Sequence, residues 1–185
     1  MKSTQKANLP AIYTERLILR PLTLWDAEDM FEYAHQELTT KYLLWYPHTN
    51  ISQTREHIAH IKKNYTFGNS YDFAIELIET GKMIGTCGFV YIDEINKKAE
   101  AGYVLNPSYW NLGFATEALT AIIKYGFNEL NLSRIEARFI AENAASAAVM
   151  KKCGMSFEGI LKKSLQVKGK LKDIGTYSIH KENLK

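Results

Sequence analysis

Tyr109-Trp110-Asn111-Leu112-Gly113-Phe114-Ala115-Thr116-Glu117-Ala118-Leu119 is the stretch of this chain best suited to hold a charged ligand. A strand-like run over residues 101–105 and a turn, Asn106-Pro107-Ser108, precede it, and a helical pattern follows directly. The first N–H groups of a helix have no partner inside the helix, and its dipole favours negative charge beside them. Gly113 and Ala115 are small enough to let the backbone come close to a ligand. The spacing therefore predicts an anion site. A pyrophosphate there would make the chain a nucleotide- or CoA-dependent enzyme. Two common phosphate motifs are missing. There is no G-x-x-x-x-G-K-[ST], which excludes a P-loop NTPase, and no G-x-G-x-x-G, so a dinucleotide fold lacks its fingerprint.

The elements that must position this loop are read from periodicity. Residues 1–13 are polar and aperiodic and read as a loose arm. Residues 16–20 alternate like a strand that Pro21 ends, and Thr23 with Asp26 is a capping pair for a helix whose face is Ala27, Met30, Phe31 and Ala34. Residues 37–50 are irregular and aromatic, a connection suited either to substrate recognition or to packing over the core. Ser52 is the expected cap of a second helix carrying Ile58, Ile61 and Tyr65. A turn at Gly68-Asn69-Ser70 leads to three strands over 71–78, 82–93 and 98–105, joined by hairpin turns at 79–81 and 94–96. A long helix over about 113–130, a strand over 134–140, a short helix over 146–153 capped by Gly154, and a hairpin turning at Lys168-Gly169-Lys170 complete the chain. This order predicts one α/β (α+β) domain over residues 14–181: a mixed, mostly antiparallel sheet flanked by about four helices. A doubly wound nucleotide fold would alternate strand and helix throughout.

Composition agrees with that reading. The 185 residues suffice for one domain with a full core. A hydrophobic fraction of 46% and a charged fraction of 23% are those of an ordinary globular protein. The net charge of +3 gives no reason to require nucleic acid as a partner. No apolar run has the length of a membrane span, and residues 1–10 lack the apolar core of a signal peptide. Cys87 and Cys153 are far apart and have no CxxC spacing, so a cytoplasmic protein with reduced thiols and no metal is expected.

The loop resembles the acyl-CoA pyrophosphate loop of the GNAT superfamily of N-acetyltransferases. More narrowly, it resembles the RimJ/RimL-like branch of ribosomal-protein alanine and serine N-acetyltransferases, whose loop reads Y-W-G-x-G-Y-A-T-E-A. Thr14-Glu15-Arg16-Leu17-Ile18-Leu19-Arg20-Pro21, Ile84-Gly85-Thr86-Cys87-Gly88-Phe89 and Ala99-Glu100-Ala101-Gly102-Tyr103-Val104-Leu105 are similar to that branch's first, third and fourth strands. Glu142-Asn143-Ala144-Ala145-Ser146 through Lys152-Cys153-Gly154-Met155 resembles its E-N-x-x-S…K-x-G-F block.

The resemblance implies an acetyl-CoA N-acyltransferase fold in which the fourth and fifth strands splay around the pantetheine arm. It implies that Tyr103, Val104 and Leu105 offer backbone groups to the arm, with an N–H near Val104 or Leu105 facing the oxyanion. The amides of Leu112, Gly113, Phe114, Ala115, Thr116 and Glu117 would hold the pyrophosphate, and Asn143, assisted by Ser146, the pantetheine. Asn111 stands where the branch has Gly; Asn tolerates positive φ, so the turn need not break. The implied reaction passes acetyl from acetyl-CoA, a co-substrate, to a primary amine. A peptide α-amine has a pKa of ~7.7–8.0 and needs little help from a base, unlike a lysine amine at ~10.4. Glu100, at the start of its strand, is the candidate base, acting through water; a solvated carboxylate is the plainer account of it. The Tyr that serves many family members as general acid falls here on Met150, which leaves water, Ser146 or another Tyr.

The acceptor stays open between a protein N-terminus, an alanine or serine of a ribosomal protein among them, and a small amine such as a polyamine, an amino acid derivative or an aminoglycoside. A homodimer stays open too. His57 and His60 share a helix face but lack a third metal ligand. The lysines of the final hairpin read as a solvated face, or as an attraction for acidic partners. A CoA-binding sensor without activity and an RNA-associated basic domain are the competing functions.

Overall fold

The computed structural model describes residues 9–66 and 71–184. The expected turn at Gly68-Asn69-Ser70 and the first eight residues of the expected arm lie outside the described residues. Leu17–Pro21 forms β2, with Leu17 and Leu19 fully buried. Ile12–Tyr13, too short to announce itself by periodicity, pairs antiparallel with it as β1.

Thr23 opens a single 3-10 turn, Leu24–Asp26, that runs into α1, Ala27–Ala34. The expected capping pair forms: the Thr23 N–H donates to Asp26 Oδ2 at 2.7 Å. Arg20 then donates to both Asp26 oxygens, at 2.9 and 2.6 Å, and its Nε to Glu76 at 2.5 Å. Burial alone would raise the Asp26 pKa; the Arg20 and Thr23 hydrogen bonds outweigh it and hold the carboxyl below its usual range. A depressed carboxylate stabilises the fold above its unfolded pKa, and this contribution is lost as pH falls through the folded value. Arg20→Ala leaves Asp26 buried without its partner, and a loss of about 2 kcal/mol is expected at neutral pH. In urea unfolding the gap to wild type narrows as pH is lowered through the carboxylate range; a gap independent of pH would contradict this account.

The aromatic connection contains one helical turn, α2, Glu37–Thr40, which brings the α-helices to five among the described residues rather than the expected four. The second long helix, α3, is Ile51–Thr66. Its cap is not Ser52 but Asn50, whose Oδ1 accepts from the Gln53 N–H at 3.2 Å. Both residue types cap helices, and Asn50 lies three residues before the free N–H, as the cap geometry requires.

Tyr71–Leu77 (β3), Met83–Asp93 (β4) and Lys98–Leu105 (β5) form the expected antiparallel meander. The long helix, α4, is Phe114–Asn128, and β6 is Arg134–Ile140. The short helix, α5, is Ala144–Lys152, two residues ahead of its expected start because Asn143 caps it by accepting from the Ser146 N–H. Ser156–Val167 (β7) and Lys170–His180 (β8) close the chain, with Lys168 and Gly169 both at positive φ, the two-residue hairpin turn that matches strand twist.

The sheet runs β1-β2-β3-β4-β5-β6-β8-β7, and β5–β6 is its parallel pair. One face carries α4 and α5 over a core that includes Leu119, Ile122, Phe127, Phe73 and Ile84. The other carries α1 and α3 over Met30, Tyr33, Ile58, Ile61 and Met83. No helix among the described residues is long and apolar enough to cross a membrane.

Candidate active site

The loop between β5 and α4 is tied down before it turns. Asn106 is fully buried; its Oδ1 accepts from the Ser108 N–H at 3.0 Å and its Nδ2 donates to Glu32 of α1 at 3.1 Å. The Trp110 indole N–H donates to the Leu105 carbonyl at 2.8 Å, so this carbonyl of the expected pantetheine edge is already occupied. Asn111 (φ 61°) and Gly113 (φ 85°) are both left-handed and flank Leu112. Asn111 therefore keeps the turn that a glycine would make. The Glu117 N–H bonds back to the Gly113 carbonyl at 3.0 Å. Its amide is spent inside α4, which corrects the expected set of free donors. Phe114, Ala115 and Thr116 occupy the first turn, whose N–H groups have no intrahelical acceptor.

A charged clamp supports this turn. The Glu117 carboxylate accepts from Thr14 Oγ1 (2.7 Å), the Arg16 N–H (2.9 Å), Arg16 Nε (2.8 Å) and Arg16 Nη2 (2.7 Å). Arg16 Nη1 reaches the Leu112 carbonyl at 3.0 Å, and the guanidinium lies 4.3 Å from the centre of the Phe114 ring. Burial pushes the Glu117 carboxyl up, but the donors from Thr14 and Arg16 bring it below its usual range. A carboxylate in the first turn of a helix would repel an anion docked there; the guanidinium neutralises it.

Beside the loop the sheet opens. Pairing between β5 and β6 runs from Lys98↔Arg134 to Ala101↔Ala137, and beyond it the two strands diverge. A cleft of about 510 Å³ occupies the gap and extends under α1 and α3. Asp72, Glu100, Gly102, Tyr103, Val104, Asn143 and Ser146 line it, and Trp45, His48 and His57 flank it.

The structure brings the Tyr103 hydroxyl from β5 against α5, 2.9 Å from both the Ser146 carbonyl and Ser146 Oγ. Burial pushes the Tyr103 phenol well above its ordinary value, so it stays protonated. Asn143 Oδ1 accepts from the Ser146 N–H at 3.2 Å, which leaves its amide N–H₂ as a donor. Met150 is buried in α5. Glu100 Oε2 is 2.7 Å from Arg138 Nη2 of β6.

The sequence signalled neither the Arg16–Glu117 clamp nor the Tyr103–Ser146 and Glu100–Arg138 contacts. Only the presence of Thr14-Glu15-Arg16 among the matching blocks hinted at the first. Cys87 is fully buried; Cys153 Sγ lies 3.5 Å from both the Thr116 carbonyl and Thr120 Oγ1, and burial raises both thiols, which fits packing and not nucleophilic attack. Among the described residues no cluster suits a metal ion. The hairpin lysines are partly engaged: Lys168 donates to the Thr40 carbonyl at 2.7 Å and Lys172 to Glu142 at 2.9 Å.

The sheet with one parallel, diverging pair and a helix N-terminus beside the gap matches a known family. Residues 16–156 match the acetyltransferase (GNAT) domain, and the chain belongs to this family as an N-acetyltransferase. It is 40% identical over 173 residues to the uncharacterized N-acetyltransferase p20 of Bacillus licheniformis, covering 94% of this chain and 97% of that one. The crystal structure of a GNAT-family acetyltransferase from Bacillus anthracis superposes with a TM-score of 0.83 at 34% identity, covering 94% and 99% of the two chains. RimL, a ribosomal L7/L12 alpha-N-protein acetyltransferase solved in complex with coenzyme A, shares the fold with a TM-score of 0.79 at 23% identity, covering 92% and 98%.

Proposed function

We propose that this N-acetyltransferase moves an acetyl group from acetyl-CoA directly to a primary amine held in the cleft under α1 and α3. The observation that carries this reading is the adjacency of the first turn of α4, with its free N–H groups, to the divergence of β5 and β6. The Phe114, Ala115 and Thr116 amides, with those of Leu112 and Gly113 before them, take the pyrophosphate. The backbone groups of Tyr103 and the Leu105 N–H, which face the gap while Val104 is paired with Thr86 of β4, take the pantetheine arm as an added strand, and the Asn143 side-chain amide donates to it. Of the Val104 and Leu105 N–H groups, that of Leu105 is on the gap side and stabilises the tetrahedral oxyanion.

In this mechanism the neutral amine attacks the thioester carbonyl, the C–S bond breaks, and the thiolate takes a proton from the Ser146–Tyr103 hydroxyl pair. Glu100 lines the cleft with Oε2 held by Arg138, and draws the ammonium proton off through water on its other oxygen. An acceptor α-amine is already partly neutral, so Glu100→Gln is expected to lower kcat by only about tenfold near pH 7, with the loss shrinking as pH approaches the amine pKa. A loss independent of pH would assign Glu100 to structure instead.

Two acceptor classes follow. A protein N-terminal alanine or serine is supported by the shared fold with RimL, named for acting on a ribosomal protein N-terminus. A small cationic amine is favoured by the Asp72 carboxylate on the cleft wall. Thiol release from acetyl-CoA over a panel of Ala- and Ser-terminated peptides, diamines, spermidine and aminoglycosides tests the reading. Turnover with at least one class is expected. CoA-induced thermal stabilisation with background thiol release throughout would make the chain a CoA-binding sensor, and the enzymatic proposal would fall.

A further inference from the structure

We propose that Lys168, at the tip of the final hairpin, is a positioning residue for the acceptor: it clamps both ends of a segment that lines the cleft and so fixes the wall against which the amine is held; this rests on the N-acetyltransferase reading above. The segment is the aromatic connection after α2. Tyr42, Leu43, Leu44 and Trp45 are four consecutive residues that line the cleft. Thr40 before them and Tyr46 after them both meet one side chain. Lys168 Nζ donates to the Thr40 carbonyl at 2.7 Å, lies 3.4 Å from Thr40 Oγ1, and stands 5.2 Å from the centre of the Tyr46 ring. An ammonium suits both partners. Thr40 ends α2, where carbonyls lack a donor inside the helix, and a ring face attracts a cation.

The backbone of the segment has little else to hold it. The Leu43 N–H bonds to the Thr40 carbonyl at 2.9 Å, and the His48 N–H to the Ala34 carbonyl at 3.0 Å. Between them, among the described residues, no backbone–backbone hydrogen bond holds residues 44–47. At His48 the chain is fixed independently of the hairpin, since its Nδ1 is 2.7 Å from Thr54 Oγ1. A stretch with so few backbone bonds opens locally unless side chains restrain it.

The hairpin that supplies the lysine also builds the same wall. Leu165 and Val167, just before the tip, line the cleft, and Tyr42 and Leu165 pack against the small cluster of Ile140, Val167 and Ile174. One hairpin thus meets the segment through an apolar contact at Tyr42 and through the ammonium at its two ends. None of these residues belongs to the first turn of α4, so the clamp bears on the acceptor and not on the pyrophosphate.

Lys168→Met tests the clamp, because it keeps an apolar stem of similar length and removes the ammonium. Amide hydrogen exchange over residues 41–48 is expected to rise by about fivefold or more, with exchange in β2–β5 unchanged, a readout that needs no substrate. With the amine of the panel above that wild type turns over fastest, the amine KM should rise about tenfold, the size of one lost charge-assisted hydrogen bond, while kcat and the acetyl-CoA KM stay within about twofold. Lys168→Arg, whose guanidinium can donate to the carbonyl and stack on the ring, should restore both readouts. Unchanged exchange over residues 41–48, an unchanged amine KM, or a matching rise in the acetyl-CoA KM would each overturn the proposal and leave the acetyltransferase reading standing. No recovery in Lys168→Arg would overturn it too, and assign the loss to the shape of the hairpin tip. Background thiol release by wild type with every amine would remove the acetyltransferase reading, and the acceptor role of Lys168 with it, whatever the exchange shows.

Discussion

Gly113→Val raises the KM for acetyl-CoA by roughly 100-fold, the size expected when about two charge-assisted hydrogen bonds to the pyrophosphate are lost. Gly113 sits at φ 85°, where a β-branched residue is strained by about 1–3 kcal/mol. A Cβ there would also stand 3.3 Å from Arg16 Nη2, the group that braces the turn. The backbone can relieve both only by rotating out of the left-handed region. That rotation swings the first amides of α4 away from a common ligand. The core does not contact this exposed position, so the fold should survive with its far-UV circular dichroism unchanged. Steady-state thiol release with acetyl-CoA varied reads the effect; an unchanged KM would sink the pyrophosphate assignment.

Arg16→Ala is the second large effect, a KM increase of roughly 30-fold with a stability loss of only about 1 kcal/mol, because the guanidinium is partly exposed and solvent screens the pair. The variant frees the Leu112 carbonyl and, more importantly, uncovers the Glu117 carboxylate in the first turn of α4, where it would repel a pyrophosphate docked as proposed. Adding Glu117→Gln to Arg16→Ala should therefore recover most of the lost affinity. The single variant should also improve with added salt, which screens the repulsion. A double variant no better than Arg16→Ala alone would show that the clamp acts by shape and not by charge.

Much of this was legible in the sequence, for particular reasons. Lys98–Leu105 and Arg134–Ile140 appear with both ends as expected, because period-2 alternation bounded by turns marks a strand well. The loop was legible because its residues need special backbone: Asn111 and Gly113 adopt the positive φ their types allow. Ile12–Tyr13 and Glu37–Thr40 were not, since two residues cannot show alternation and four cannot show a 3.6-residue period.

The site's side-chain partners were the least legible. Arg16 and Glu117 are 101 positions apart, and Tyr103 and Ser146 are 43 apart. Periodicity reports which face a residue occupies and says nothing about what meets it. Glu100 illustrates the limit: the sequence placed it at the head of β5, but its Arg138 partner follows only from the parallel register that sets Glu100 beside Glu136, two residues before Arg138.

The most direct measurement of the central claim is calorimetric titration of the protein with CoA and, separately, with pantetheine, which keeps the arm and lacks the pyrophosphate and nucleotide. If the α4 N-terminus holds the pyrophosphate, CoA binds saturably, pantetheine binds roughly 100-fold more weakly, and Gly113→Val reduces CoA toward the pantetheine value. Pantetheine binding as tightly as CoA, or Gly113→Val binding CoA like wild type, would contradict it.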